Sequence, residues 1–457
     1  MRYLAGVAAM ALFAAAPASA DAVDDYVRTQ MEAGHIPGIA VAVVRKGKVE
    51  TVRSYGLANL EWNAPVGPDT RFQTASATKI FTGIALMRLV EAGKLRLDDT
   101  LDRFFPDAPA SWREITILNL ASHSSGLSEK LPEHKDNVAD TLAAAMQAPL
   151  AYAPGTESRY GFTDFVVLRA VMEKVAGKDI AAIFRDEICV PLGLKDTGFN
   201  FERQGGPFRS SLPLPHRAAI HAWRDGEQRM SSFVYGETGY AAGGLHSSAR
   251  DFAALFAALD RGELLKPESQ QLLETPPLLK TGKPAGFGVG WTAGTYHGVK
   301  VVGHSGGPAL ADILHADAEG LTVIVLTNQQ RYYPLLARGI ADFYLPRPAA
   351  PRAMPDTKPE LTALMREAMA EAAAGKLDRK RYAESALKGP VPFLEDYGQP
   401  LLAALGPVQR VTLVADTPGK DEHVRLYAIA FQNQSMTWRF GIDAAGRITD
   451  LHPPSDD

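Results

Sequence analysis

Cysteine is almost missing from this chain. Its 457 residues include one, Cys189. A disulfide within the chain needs two cysteines, and cysteine-ligated zinc clusters and iron–sulfur sites also need more than one. The sequence therefore excludes all three, and the fold has to be stabilised by its core.

An excess of basic charge and long apolar runs are missing as well. Lys and Arg number 48 against 52 Asp and Glu, which gives a formal net charge of −4. No basic field therefore favours nucleic acid or an anionic membrane. After residue 20, no apolar run is long enough to span a bilayer. The sequence predicts neither a nucleic-acid partner nor a stable membrane anchor, and it makes no prediction of oligomeric state.

The first twenty residues have the pattern of a secretory signal peptide. Arg2 is followed by an Ala-rich apolar stretch over residues 4–16, and Ala18-Ser19-Ala20 forms an A-x-A cleavage site. We expect residues 1–20 to be removed and the protein to be exported, to a periplasm or to the medium.

The hydrophobic pattern predicts an α+β main domain over residues 21–345. Two β-rich runs surround the turn Lys46-Gly47, and further strand-like runs occupy residues 287–291, 299–302 and 321–326. The segment between these ends is mostly helical, so one sheet is expected to be built from both chain ends. Residues 205–230, rich in Pro, Arg and Gly, are expected to form a long loop.

Proline marks the boundary to a second domain. Residues 346–359 are Pro-rich and without periodicity, which is typical of a linker. Residues 360–457 begin with a helical pattern and continue with alternating strands. They predict a small α+β domain. Its helix and following strands, which end with Gly441-Ile442-Asp443-Ala444-Ala445-Gly446-Arg447-Ile448, resemble a cone-shaped nuclear-transport-factor-like domain.

The first candidate for chemistry is an S-x-x-K motif, Ser76-Ala77-Thr78-Lys79. A Ser and a Lys three apart share one helix face, and a lysine of lowered pKa can take the serine proton. A second match, Ser385-Ala386-Leu387-Lys388, shows how weak the motif is alone. Ser76 is favoured because it lies at the start of an apolar helix, whose free N–H groups can hold an oxyanion. Ser385 is expected to be inert.

Two later motifs complete an ordered triplet. Tyr160 follows the turn Pro154-Gly155-Thr156, and His304-Ser305-Gly306-Gly307 lies between two strand-like runs. In this order the motifs resemble those of the serine β-lactamase, penicillin-binding protein and family VIII esterase group, most of all its class C-type branch. Residues 24–345 carry further similar segments: Thr70-Arg71-Phe72, Leu120-Ala121-Ser122-His123-Ser124-Ser125-Gly126-Leu127, Pro191-Leu192-Gly193-Leu194, Ala242-Gly243-Gly244-Leu245 and Leu326-Thr327-Asn328.

The resemblance implies a β-lactamase/transpeptidase-like fold and an exported serine hydrolase that forms an acyl-enzyme on a small ester, amide or short peptide. Ser76 would be the nucleophile, with Lys79 and Tyr160 sharing the base and acid work and the lysine cation favouring a tyrosinate. Backbone N–H groups of Ser76 and Gly307 would form the oxyanion hole. The substrate-binding residues would be Phe162, His304, Ser305 and Gly306. No cofactor and no metal are implied.

Two positions depart from the family pattern. Phe162 stands where Tyr-x-Asn usually has its amide, and phenylalanine offers no hydrogen bond to a substrate carbonyl. His304 stands where a lysine usually grips a carboxylate, and an unperturbed histidine is mostly neutral at pH 7. We expect an apolar acyl pocket, a preference for esters over β-lactams and D-peptides, and carboxylate binding restored near pH 6. No E-x-x-L-N motif follows Tyr160, so a class A mechanism is not expected.

Three other interpretations remain open in the sequence. Gly303–Gly307 also fits the G-x-S-x-G nucleophile elbow, for which Asp342 and His423 could complete a triad, although Pro308 and then a strand follow it. A metal hydrolase has little support, since the eleven histidines include no H-E-x-x-H pair and His123, His246 and His315 are interpreted as turn or surface residues. The chain could also be a catalytically impaired peptide- or cell-wall-binding protein of the same fold.

Overall fold

The computed structural model describes residues 20–131, 137–201, 203–205, 208–233, 235–307, 310–330, 336–346 and 352–453. The predicted signal peptide and residues 347–351 of the predicted linker lie outside the described residues. Of the helices described, none is long and apolar enough to cross a bilayer.

The strands of the first domain lie at both ends of its sequence and in its middle. They are β1 Gly38–Arg45, β2 Lys48–Asn59, β3 Ala64–Pro65, β4 Phe72–Gln73, β5 Gly198–Phe199, β6 Arg203–Gly205, β7 Phe208–Ser210, β8 Ile220–Arg224, β9 Glu227–Ser231, β10 Leu245–Ser247, β11 Thr292–Tyr296, β12 Val299–Gly306, β13 Ala311–Ala316, β14 Leu321–Thr327 and β15 Gln329–Gln330.

The helices of this domain fill the segment between the two strand-rich ends and flank it. They are α1 Ala20–Ala33, α2 Thr78–Glu91, α3 Ile117–Ala121, α4 Val138–Gln147, α5 Thr163–Ala176, α6 Ile180–Phe184, α7 Val190–Leu192, α8 Ala249–Asp260, α9 Pro267–Glu274 and α10 Leu336–Ala341.

The main sheet joins the two ends of the domain, as the sequence predicts. Its strand order is β11-β12-β13-β14-β1-β2-β3, and β1 pairs antiparallel with β14 from Ile39–Thr327 to Arg45–Leu321. Alternate residues of β1 enter two cores: Ala40 and Ala42 pack toward the helical middle, and Val41 and Val43 pack toward α1 and α10. Because both faces are covered, β1 is apolar along nearly its whole length.

The predicted long loop at 205–230 is wrong. It contains the hairpins β6–β7 and β8–β9, and β8 also pairs in parallel with β15. The turn between β8 and β9 is Asp225-Gly226, with φ of 53° and 82°. Asp-Gly is a strong hairpin signal because both turn residues need positive φ. The high content of Pro, Arg and Gly obscured this signal in the sequence.

The C-terminal domain is an α+β unit with its own core. Its helices are α11 Pro359–Ala373, α12 Glu384–Leu387, α13 Pro390–Phe393 and α14 Gln399–Leu405, and its strands are β16 Val408–Thr417, β17 His423–Phe431, β18 Ser435–Ile442 and β19 Ile448–His452. The strands form one antiparallel sheet in sequence order, whose fully buried side chains include Trp438 and Tyr427. Residues 352–358 also belong to this unit. The Met354 N–H donates to Leu413, and Asp356 pairs with the fully buried Arg425 at 2.5 Å.

Candidate active site

Ser76 lies on a strained turn at the start of α2. The turn is the short 3-10 segment Ala75–Ala77, which leads directly into α2 and places Lys79 in that helix's first turn. Ala75 has a φ of 45°, in the left-handed region that costs a non-glycine residue on the order of 1–3 kcal/mol. Two hydrogen bonds of 2.9 Å from Thr74 to the Leu245 carbonyl hold the turn in place. Strain of this kind is concentrated at functional sites.

The three predicted catalytic side chains form one hydrogen-bonded chain. The Lys79 Nζ donates to the Tyr160 hydroxyl at 2.7 Å, and that hydroxyl donates to Ser76 Oγ at 2.8 Å. The Lys79 Nζ also donates to the Ala242 carbonyl at 2.9 Å. Tyr160 therefore links the lysine to the serine, and a proton can pass along the chain in either direction.

Burial sets the protonation of this chain. Lys79 is 2% exposed, and burial lowers its pKa to about 7, with the charges of Asp164 and Glu129 opposing the shift. Burial raises the pKa of Tyr160 although part of its ring faces solvent, and the hydrogen bond with Ser76 opposes that shift. Lys79 thus loses its proton near neutrality while Tyr160 keeps its own. This differs from the expected tyrosinate, because desolvation disfavours the charged form of both groups.

A buried His–Asp pair supports Tyr160 from behind. His123 is fully buried, its ring centroid lies 4.7 Å from that of Tyr160, and its Nδ1 lies 3.0 Å from Asp164 Oδ2. Burial raises the pKa of Asp164 well above its usual value and lowers the pKa of His123 to about 3. Burial thus disfavours the charged form of both groups. The sequence predicts either a turn or a surface position for His123. Its φ of 55° places it in a turn, and that turn is buried.

The last residues of strand β12 lie next to the turn that carries Ser76. A Cβ on Gly306 would lie 2.0 Å from the Thr74 carbonyl oxygen, so only glycine allows this approach to the turn before Ser76. Gly307 follows at the exposed end of the strand. The structure thus brings the glycines of the third motif beside the serine turn.

His304 and Ser305 lie differently from the expectation. The buried His304 ring has its centroid 6.0 Å from that of Tyr160, and burial together with the Lys79 charge lowers its pKa to about 3. The expected protonation of His304 near pH 6 is therefore wrong. Side chains alternate along a strand, so Ser305 faces away from Tyr160, toward a cavity of about 700 Å³ bordered also by the C-terminal domain. Ser305 is thus not placed among the residues that line the pocket at Ser76.

Aromatic side chains line the pocket in front of Ser76. Its volume is about 430 Å³, and Phe162, Phe233 and Tyr235 form its walls. The Tyr235 hydroxyl is hydrogen-bonded to Ser76, and burial raises its pKa. A Cβ on Gly243 would lie 2.2 Å from the Tyr235 ring, so this glycine makes room for the tyrosine. Tyr235 was not identified as a site residue from the sequence. The signal that could have pointed to it is the Gly243-Gly244 pair, which leaves space for a bulky side chain.

The competing motifs do not assemble a site. Ser385 lies on the short helix α12, where Lys388 pairs with Glu384 at 3.0 Å on the surface. Asp342 contacts Tyr296 and His297, whereas His423 contacts Asp416 in the C-terminal domain. The nucleophile elbow needs its acid and histidine together behind a serine that precedes a helix, and here β13 is the element that follows.

Comparisons with known proteins match most of the chain to one family. The family model described as Beta-lactamase matches residues 23–343. Protein flp of Staphylococcus aureus (strain MW2) is 27% identical over 218 residues, 44% of this chain and 44% of its own length. Esterase EstB of Burkholderia gladioli is 33% identical over 205 residues, 39% of this chain and 52% of its own length. The chain thus spans about half the length of the curated relatives it matches.

A solved structure extends the likeness to the second domain. The octameric penicillin-binding protein homologue from Pyrococcus abyssi has a TM-score of 0.59 and 21% identity, and the match covers 96% of this chain and 99% of that one. At this identity the likeness shows the fold, which is β-lactamase/transpeptidase-like. The family match over most of the sequence establishes that the chain belongs to the β-lactamase family.

Proposed function

We propose that the protein is an exported serine hydrolase that forms an acyl-enzyme on Ser76 and prefers esters with small apolar acyl groups. The observation that carries the proposal is the hydrogen-bonded chain from Lys79 through Tyr160 to Ser76. Neutral Lys79 accepts the Tyr160 proton while Tyr160 accepts that of Ser76, and Ser76 Oγ attacks the carbonyl carbon. The proton returns along the chain to the leaving group as the scissile bond breaks, and water then attacks the acyl-enzyme in the same way.

The oxyanion hole in this proposal is made of backbone groups. The tetrahedral intermediate carries a negative oxygen, which the N–H groups of Ser76 and Gly307 would hold. The close approach of Gly306 to the Thr74 carbonyl supports this assignment, since it sets the end of β12 beside the serine turn. Gly307 comes next in the chain.

Esters are favoured because the pocket offers little polar recognition of an acyl amide. Phe162 and Phe233 line it, and the neutral, buried His304 provides no cation for a carboxylate. The relative named Esterase EstB fits this preference. A panel of p-nitrophenyl acetate, nitrocefin and D-Ala-D-Ala peptides tests it: the highest kcat/KM is expected for the ester, and faster turnover of nitrocefin would contradict it.

Introducing an amide at position 162 is expected to reduce the preference for esters over amide substrates. In Phe162→Asn, the new side chain can bind an acyl-amide carbonyl, and one hydrogen bond changes kcat/KM for amide substrates by about 2- to 12-fold. The ratio of kcat/KM values for p-nitrophenyl acetate and nitrocefin should fall by that factor. Phe162→Leu is the matched control, because it shortens the side chain without adding an amide. An equal change in both variants would show that size, not polarity, sets the preference.

Tyr235 is proposed as a residue that positions the nucleophile. Tyr235→Phe removes the hydroxyl bonded to Ser76 and should lower kcat by about 2- to 12-fold, the worth of one hydrogen bond. Tyr382→Phe is the control, since it removes a buried hydroxyl in the C-terminal domain. Stopped-flow acylation with an activated ester measures the step directly. An unchanged acylation rate in Tyr235→Phe would remove Tyr235 from the mechanism.

Export rests on the N-terminal pattern of Arg2, the apolar stretch and Ala18-Ser19-Ala20. N-terminal sequencing of the expressed protein should give Asp21 as its first residue. The alternative of an impaired binding protein is not favoured, because Ser76, Lys79 and Tyr160 are connected for proton transfer.

A further inference from the structure

We propose a site for a divalent transition metal such as Zn²⁺, formed by Glu274, His315 and Asp317. It lies on the helical face of the main sheet, where the His315 ring packs against Phe256 and Trp291. One possible ligand atom from each of the three residues lies within 4.8 Å of the other two. The residues come from separate elements: Glu274 ends α9, His315 lies in β13, and Asp317 begins the turn between β13 and β14. The interpretation of His315 as a turn or surface residue is wrong, since it is 1% exposed.

His315 has one nitrogen that is used and one that is open. Its Nδ1 lies 2.9 Å from the hydroxyl of Thr322, its partner across the β13–β14 ladder. Its Nε2 is buried and has no hydrogen-bond partner among the described residues, and the nearest carboxylate oxygen, Glu274 Oε1, is 3.8 Å away. That is too long for a hydrogen bond. A metal-bound histidine characteristically anchors its second nitrogen on an oxygen, which is the arrangement seen here.

The spacing suits a shared cation better than a direct contact. Zinc binds nitrogen and oxygen at about 2.0–2.2 Å, so two ligands of a tetrahedral zinc are about 3.3–3.5 Å apart. A shift of a few tenths of an ångström brings the Glu274 oxygen and His315 Nε2 to that separation. Asp317 is exposed, so its side chain can rotate to complete the set. One imidazole with two carboxylates favours a transition metal over Mg²⁺ or Ca²⁺.

The surroundings carry negative charge that a cation would offset. Asp260, at the end of α8, has its Oδ1 4.0 Å from His315 Nδ1, and that oxygen is buried without a partner among the described residues. The opposing ammonium is Lys300, 3.6 Å from Glu274 Oε2, and its side chain is half exposed. Lys300 can move into solvent when a cation binds.

The site would be structural. The His315 ring packs edge-on to Trp291 with centroids 6.4 Å apart, and the Trp291 indole N–H donates to the Ile80 carbonyl of α2 at 3.3 Å. A bound ion would link α9 to the β13–β14 turn, next to the Trp291 side chain that contacts α2. It would stabilise the fold without touching the reacting atoms.

The test is a titration of the metal-depleted full chain with Co²⁺, in which binding is monitored by the visible d–d absorption bands. Zn²⁺ is then added to measure how well it displaces Co²⁺. We expect one ion per chain and a Tm that rises with Zn²⁺. Asp317→Asn should weaken binding at least about tenfold and remove the Tm shift. Glu319→Gln, with the same loss of charge in the same turn, should leave both unchanged, and Lys300→Gln should strengthen binding.

Two results would overturn the proposal: no stoichiometric binding by the wild type, or equal binding by the wild type and Asp317→Asn. Asp317 and Glu319 are both exposed, so neither variant threatens the fold. His315→Gln is the second test of the nitrogen ligand. Provided that circular dichroism shows it folded, it should lose the tetrahedral Co²⁺ spectrum.

Discussion

Replacing Ser76 by alanine is expected to lower kcat for p-nitrophenyl acetate by about 10⁵- to 10⁶-fold. The activity that remains would come from substrate binding and the oxyanion hole. The hydroxyl of Ser76 is the acceptor at the end of the Lys79–Tyr160 chain, and Tyr235 also bonds to it. Without this hydroxyl, no nucleophile is hydrogen-bonded to Tyr160 and Lys79. The side chain is small and lies at the pocket, so the fold should be unaffected. Initial rates with active-site-titrated protein measure the loss.

The two other serines named by motif provide the controls. Ser385→Ala changes the second S-x-x-K match, whose lysine is paired on the surface with Glu384. Ser305→Ala changes the serine of the elbow motif, which faces the cavity at the C-terminal domain. Both variants should keep most of the turnover. Survival of activity in Ser76→Ala together with its loss in Ser305→Ala would favour the nucleophile elbow and contradict the present assignment.

The pH profile is expected to report Lys79. A general base works only when neutral, so kcat/KM of the wild type should fall about tenfold per pH unit below pH 7 and level off above it. Burial lowers the pKa of Lys79 to about 7, which sets this limb. Lys79→Met keeps the length of the side chain, and it should lose about 10²- to 10⁴-fold in kcat/KM together with the limb.

Stability provides an independent check on the same lysine. Its folded pKa lies below the unfolded value of 10.5, so the unfolded chain binds more protons between about pH 7 and pH 10.5. Stability from this group therefore rises with pH across that window. Lys79→Met should flatten this part of the Tm profile without lowering Tm at pH 7.

His304→Gln is the control for the fall of kcat/KM below pH 7. The pKa of His304 is lowered to about 3, so this limb of the pH profile should remain. Its loss in His304→Gln would assign the limb to the histidine.

The sequence predicted those parts of the site that follow from local order. Ser76 and Lys79 are three residues apart at a helix start, and the strand-rich ends predicted one joint sheet, which β1 and β14 form. Tyr235 could not be predicted, because long-range packing against Gly243 brings it to Ser76. The His123–Asp164 pair was missed for the same reason: 41 residues separate its partners.

Burial accounts for the other corrections. A motif shows that a histidine stands at position 304 but not that its ring is enclosed beside Lys79, and that enclosure moves its pKa far below pH 6. Desolvation also gives the base role to Lys79 and keeps the proton on Tyr160. Such shifts depend on the depth of a group in the fold, which its neighbours in sequence do not determine.

The central claim is that Ser76 becomes acylated, and intact-protein mass spectrometry with a fluorophosphonate tests it most directly. The wild type is expected to gain one adduct, which peptide mapping places on Ser76, and Ser385→Ala should gain it equally. Ser76→Ala should gain none. An adduct that persists in Ser76→Ala, or one that maps to Ser305 in the wild type, would contradict the account.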